Sequence, residues 1–206
     1  MNTFKEVPAS KLSINQRKMV FSVGINDADY MTSQRINKKE IRCPFYTRWR
    51  NMLKRCYCLK SIEKRSTYSD CTVHKDWHLF SNFKAWMVKQ DWQGKQLDKD
   101  ILHQGNKLYS ADNCIFVSEE INSLFLTVKS SRGKYKLGTS LCKRRNKFEV
   151  SCRDYQGNRL RLGYHVSEHE AHEVYKKYKY KLISDIASQQ TEPLKSAMLN
   201  HVILEY

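Results

Sequence analysis

The stretch LDKDILHQGNKLYSADNCIFVSEEINSLF, Leu97 to Phe125, places Asp98, Lys99, Asp100, His103, Asn113 and Asn122 between short apolar runs. Asp98, Asp100 and Asn113 supply the oxygen donors that hold Mg²⁺ or another divalent cation, the ion used to activate water against a phosphodiester. A histidine such as His103, with an ordinary pKa of about 6.5, is largely free base at neutral pH and suits proton abstraction. A lysine near about 10.4 leaves about one molecule in a thousand or fewer deprotonated, so Lys99 suits phosphate better than water activation. The competing reading is architectural: the two carboxylates pair with Lys99 or Lys107 and cap the turn.

Positioning these groups requires particular elements. KQLDKDIL alternates as a strand does, Gly105-Asn106 marks a turn, and CIFV reads as a short buried strand. Ser118, followed by Glu119 and Glu120, then caps a helix carrying Ile121, Leu124 and Phe125. This strand, turn, strand, helix order lets loop and helix side chains converge, and Asp98 with Asp100, and Lys99 with His103, share a face only if the first strand stays regular.

Upstream, PFYTRWRNMLKRCY sets Tyr46, Trp49, Leu53, Cys56 and Tyr57 at helical spacing, with Arg48, Arg50, Lys54 and Arg55 on other faces. CTVHKDWHLFSNFKAWMVKQ begins as a strand and turns helical, with Phe80, Phe83, Trp86 and Met87 as core. Residues 1–40 read as an arm with one extended piece, MVFSVGI. Cys56, Cys58, Cys71, His74 and His78 lack the paired spacing of a zinc finger, so buried thiols are expected there and structural zinc is not.

From Lys129 to Arg161 the chain is cationic and reads as an antiparallel sheet: YKLGTSLCKR, KFEVSCRDY, a turn at Gln156-Gly157-Asn158, and RLRLGYH. Alternation puts Phe148, Val150 and Cys152 on one face and Lys147, Glu149, Ser151 and Arg153 on the other. Ser167 and Glu170 then open a helix with Ala171, Val174, Tyr175, Tyr178, Leu182 and Ile186 along one side. Thr191 and Pro193 open one more short helix.

Across 206 residues, 37 Lys+Arg against 21 Asp+Glu give a formal charge of +16, with 12% aromatics, which favours a polyanionic partner. No apolar run approaches the roughly 20 residues of a membrane span, and MNTFKEVPASKL lacks the apolar core of a signal peptide. A protein inside the cell, with its seven cysteines as thiols, is expected.

The motif Tyr135-Lys136-Leu137-Gly138, Lys147-Phe148 and LGYHVSEHEAHEVY, Leu162 to Tyr175, resembles the Apetala-type DNA-binding domain of plant transcription factors and phage homing endonucleases. Phe148 stands for that family's tryptophan, and its phenylalanine after Leu-Gly is replaced around Tyr164 and His165. The resemblance implies a three-stranded sheet in the major groove of double-stranded DNA. Lys143, Arg144, Arg145, Lys147, Arg153, Arg159 and Arg161 would be the contacts, with Arg153 and Arg161 reading bases.

The first half, through WRNMLKRCY, DWHLFSNFKAWM, LDKDIL, YSADNCIFV and the following Ile-Asn, is similar to HNH-type endonucleases of phages. That likeness implies a divalent metal, Asp98, Asn113 and Asn122 at the pattern's positions, and Lys99 where its histidine belongs. His103, His74 or His78 would then have to serve as base.

The chain is thus expected to be α+β: an arm at 1–40; an HNH-derived ββα module with flanking helices at 41–128; a three-stranded sheet packed on one helix at 130–187; and a short helix within 188–206. The expected function is double-stranded DNA binding in the cytoplasm of a phage's host. Arg48, Lys54 and Arg55 would add backbone contacts, and catalysis is in doubt at Lys99. The alternatives are an active metal-dependent DNA endonuclease or nickase and an RNA-binding protein.

Overall fold

A computed structural model describes residues 4–64, 69–125 and 134–205, the last four by backbone alone. The chain is mixed α and β, and its contacts divide it into two units: Met1–Asp100 with Gly105–Phe116, and Ile101–Gln104 with Val117–Tyr206. The expected module boundary at 128–130, with Lys129 and Arg132, lies outside the described residues. Among those residues no helix is long and apolar enough to cross a membrane.

The first unit opens with α1 (Lys11–Asn15), capped by the Ser10 hydroxyl, and a hairpin of β1 (Ser33–Ile36) and β2 (Lys39–Arg42). Then come α2 (Pro44–Tyr57), α3 (Leu59–Lys64), β3 (Thr72–Val73), a 3₁₀ turn (Lys75–His78) and α4 (Phe80–Met87). α2 forms where the spacing predicted it, because Trp49, Met52, Leu53 and Cys56 recur on one side and are buried. The Trp49 indole donates to the Trp77 carbonyl at 2.7 Å and its ring meets Phe80 at 5.5 Å. Each such side chain contributes on the order of 1.5–3 kcal/mol by leaving water.

Parts of residues 4–30 pack into this core. Ala28 and Tyr30 are buried in it, and Phe4, Val20, Phe21 and Val23 pack against it. Arg17 fastens the segment by donating to the carbonyls of Asn26 (3.0 Å), Ala28 and Tyr30 (2.8 Å). MVFSVGI is not extended. Residues 21–23 turn, with positive φ at Phe21 and Ser22, and Val20 bridges Gly24. The turn lets Gly24 lie directly on α2, where a Cβ would come within 2.4 Å of Leu53 and 2.9 Å of Trp49.

Strands β4 (Gln96–Asp98) and β6 (Ile115–Val117) pair with each other. Between them runs β5 (Leu108–Tyr109), parallel to β3, a pairing that local periodicity cannot disclose. Helix α5 (Glu119–Phe125) follows, its Ile121 N–H bonded to the Ser118 hydroxyl at 3.3 Å.

The second unit holds the antiparallel sheet β7 (Thr139–Cys142), β8 (Lys147–Arg153), β9 (Arg159–His165), then α6 (Glu168–Ala187) and α7 (Leu194–Glu205). Val150 and Cys152 meet Ala171 and Tyr175 of α6, with Leu137, Phe148 and Leu162 around them. Ser167 caps α6, accepting from Glu170 N at 3.2 Å. The buried side of α6 runs through Ala171, Tyr175, Lys179, Ile183 and Ile186, so Ile183 rather than Leu182 carries its later part. At α7 the Glu192 carboxylate, not the Thr191 hydroxyl, accepts from the first turn, at 3.2 Å from Ser196 N.

Candidate functional site

Two groups of polar residues are candidates for function, one around Asp98–Asn113 and one on the sheet of the second unit. In the first, β4 ends at Asp98 and the chain bends over the next residues, so neither Asp98 with Asp100 nor Lys99 with His103 shares a strand face. The bend has a local cause. Asp98 Oδ1 accepts from Asp100 N at 2.7 Å, the side-chain to backbone bond by which aspartate competes with a strand.

Lys99 is buried at 4% exposure, and its ammonium donates to Asp100 Oδ1 at 2.5 Å and to the Asn106 carbonyl at 2.7 Å. Asn106 is the hub that its turn position alone did not reveal. Its amide donates to the Lys99 and Leu108 carbonyls, and its Oδ1 accepts from Leu108 N and from the Asn113 side chain. Asn113 also reaches the Leu108 carbonyl at 3.3 Å. Asn113 and Asn106 together tie this loop.

Each of Asp98, Asp100 and Asn113 already has a partner within the chain. One of the three donors already faces an ammonium, a second accepts from the backbone, and the third's amide is turned into the loop. Among the described residues no group of three His, Cys, Asp or Glu side chains could hold a metal. His103 is exposed and, like Asn122 on α5, belongs to the second unit. His74 Nδ1 lies 3.4 Å from Asp76 N at the start of the 3₁₀ turn, and His78 Nε2 lies 3.2 Å from the Val73 carbonyl. Cys56, Cys71 and Cys114 are buried thiols; burial pushes Cys56 and Cys114 up to about 12.

Because two charge-assisted bonds run from Lys99 to the loop, Lys99→Met is expected to cost about 2 kcal/mol of stability. Urea unfolding checks it, and an unchanged midpoint would remove Lys99 from the loop's support.

In the first unit Lys54 and Arg55 join Lys60 and Lys64 around an open pocket of about 550 Å³, with Asn51, Cys58 and Ser61 completing its wall. Arg48 is half-buried, and burial holds its guanidinium below the ordinary value.

The second unit presents the larger cationic surface. Pairing across β8 and β9 sets Arg153 opposite Arg159 and Ser151 opposite Arg161, all on the side away from α6. A β-bulge at Val150/Ser151 skips Leu162, which packs inward, and keeps Arg161 and Tyr164 both outward. Lys143, Arg144 and Arg145 are exposed in the β7–β8 turn, closed by Asn146 at positive φ.

Glu119 and Glu120 of α5 line a pocket together with Arg153, and the two carboxylates within Lys143–Arg161, Asp154 and Glu149, are both engaged. Asp154 accepts from Asn158 N at 2.8 Å and from its side chain at 3.1 Å, bonds that hold its pKa below the usual carboxylate range. Glu149 accepts from Tyr164 at 3.2 Å and faces Arg161 Nε at 3.2 Å. Comparison with protein-family models, with curated proteins and with solved structures returns no match for this chain.

Proposed function

We propose that the protein binds double-stranded DNA by laying the outer face of β7–β9 in the major groove. The observation that carries this reading is the Arg153–Arg159 pair, two like charges directly opposite across β8 and β9, with Arg161 next on the same face. Like charges so placed destabilise a sheet; Glu149 offsets part of the repulsion at Arg159 and Arg161, and the core against α6 is built on the opposite face. A polyanion relieves the repulsion. Size agrees: three strands at about 4.8 Å spacing span about 10 Å, against a major groove of about 12 Å.

On this reading the arginines supply forks for guanine edges, while Lys143, Lys147, Arg144 and Arg145 hold phosphates. Arg48, Lys54 and Arg55 of the first unit add backbone contacts. The loop at Asp98–Asn113 serves as a frame, closed by Lys99 in place of a metal.

Fluorescence anisotropy tests this with a duplex, the matching single strand and a hairpin RNA, each titrated at several salt concentrations. The duplex is expected to bind tightest at every salt, with log K falling against log salt at a slope of roughly −6, as about seven neutralised phosphates require. RNA binding at equal or higher affinity would overturn the duplex reading.

A further inference from the structure

Glu149 is the anomaly of the cationic face. A carboxylate pointing toward DNA repels phosphate, yet this one sits in the middle of the sheet, opposite Tyr164, at 16% side-chain exposure. Its two oxygens divide the neighbourhood. Oε1 faces Arg161 Nε at 3.2 Å and an Arg159 terminal nitrogen at 3.6 Å, and Oε2 accepts from the Tyr164 hydroxyl at 3.2 Å. The Tyr164 ring in turn lies under two guanidinium groups, Arg145 at 4.5 Å and Arg161 at 5.8 Å from its centre. Arg159 and Arg161 nevertheless remain 68% and 63% exposed, so the contacts hold the arginines without covering them.

Arginine has five donors in a rigid plane. Engaging Nε of Arg161 fixes that plane and leaves its two terminal nitrogens as the pair that can address the two acceptors of guanine, O6 and N7. An unheld arginine on a sheet surface samples many rotamers and meets the nearest phosphate, because phosphate contacts are the less demanding ones. A central negative charge penalises that alternative and leaves the aimed fork.

We propose that Glu149 is the specificity-setting residue of this face: a positioning carboxylate that aims Arg159 and Arg161 at guanines and opposes their collapse onto the backbone. The proposal rests on the duplex-binding reading above and adds to it that affinity and discrimination are separable at one residue. Glu149→Gln keeps the size of the side chain and its capacity to accept from Tyr164, but loses the charge that holds the arginines.

The test begins with selection of a preferred duplex from a random pool by the wild-type protein. Affinities for that duplex and for a scrambled one of equal composition are then measured across a salt series. Glu149→Gln is expected to bind the scrambled duplex a few-fold more tightly, with a salt slope steeper by up to about one, as an added phosphate contact would produce. Its ratio of selected to scrambled affinity is expected to fall about tenfold, the worth of roughly one bidentate base contact. Tyr164→Phe, which removes one bond to Glu149 and no charge, is expected to lower the ratio by less and to leave the salt slope unchanged.

A Glu149→Gln protein that keeps the wild-type ratio would overturn the proposal while leaving duplex binding intact. A wild-type protein that binds duplex but selects no sequence would likewise overturn the proposal alone, whereas one that binds no duplex would overturn both readings together.

Discussion

Replacing Arg153 and Arg161 together by alanine is expected to weaken duplex binding on the order of 100-fold at matched salt. Each arginine that addresses a base edge is worth roughly tenfold or more, and the two lie on different strands, Arg153 at the end of β8 and Arg161 within β9. Because these two arginines address bases and not phosphates, the salt slope should stay close to the wild-type value. Neither side chain belongs to the Val150, Cys152, Ala171 and Tyr175 core, and their contacts, Arg153 with the Gly157 carbonyl at 3.4 Å and Arg161 with Glu149 at 3.2 Å, lie on the exposed side. The double variant should therefore retain the wild-type circular dichroism spectrum. Anisotropy titration of the purified variant checks the prediction, and unchanged affinity would end the sheet-in-groove reading.

The second large effect concerns Gly138, immediately before β7. Its φ is +79°, and a Cβ there would fall 2.0 Å from Tyr175 Cδ2 and 2.3 Å from Cγ. Neither neighbour gives way easily. Tyr175 is buried in the middle of the small core on α6, and the Gly138 carbonyl accepts from Ser151 N at 2.9 Å, which ties the backbone to β8.

Gly138→Ala therefore combines a left-handed backbone costing about 1–2 kcal/mol with overpacking costing about 1–3 kcal/mol. A loss of about 3–4 kcal/mol is a large part of what a small unit has, so cooperative melting of the second unit and duplex binding should both be lost or sharply reduced. Gly157 is the control. It has a similar φ of +87° but nothing within 4 Å of a Cβ, so Gly157→Ala should show the backbone strain alone, about 1 kcal/mol. Thermal melts of the two variants side by side separate packing from strain.

The basic sheet was legible in the sequence because its determinants are local. Alternation along KFEVSCR assigns Val150 and Cys152 inward, the Gln156-Gly157-Asn158 turn sets the hairpin, and the Ser167 cap starts the helix that covers it. The helical spacing of Trp49, Leu53 and Cys56 disclosed α2 for the same reason.

What the sequence left open depends on partners distant along the chain. Whether Asp98 and Asp100 share a face depended on where β4 stops. Whether Lys99 meets phosphate or its own loop depended on the Asn106 carbonyl, seven residues away. The β3–β5 pairing and the burial of residues 4–30 in the first unit's core likewise leave no periodic trace, because each is one surface meeting another.

Glu149 shows the division at a single residue. Its outward place on β8 follows from strand period two, and that much the sequence determined. That it would hold Arg161 and Tyr164 was decided only by the tertiary structure, because the β-bulge opposite β9 brings those two outward together and cross-strand register is not a local property.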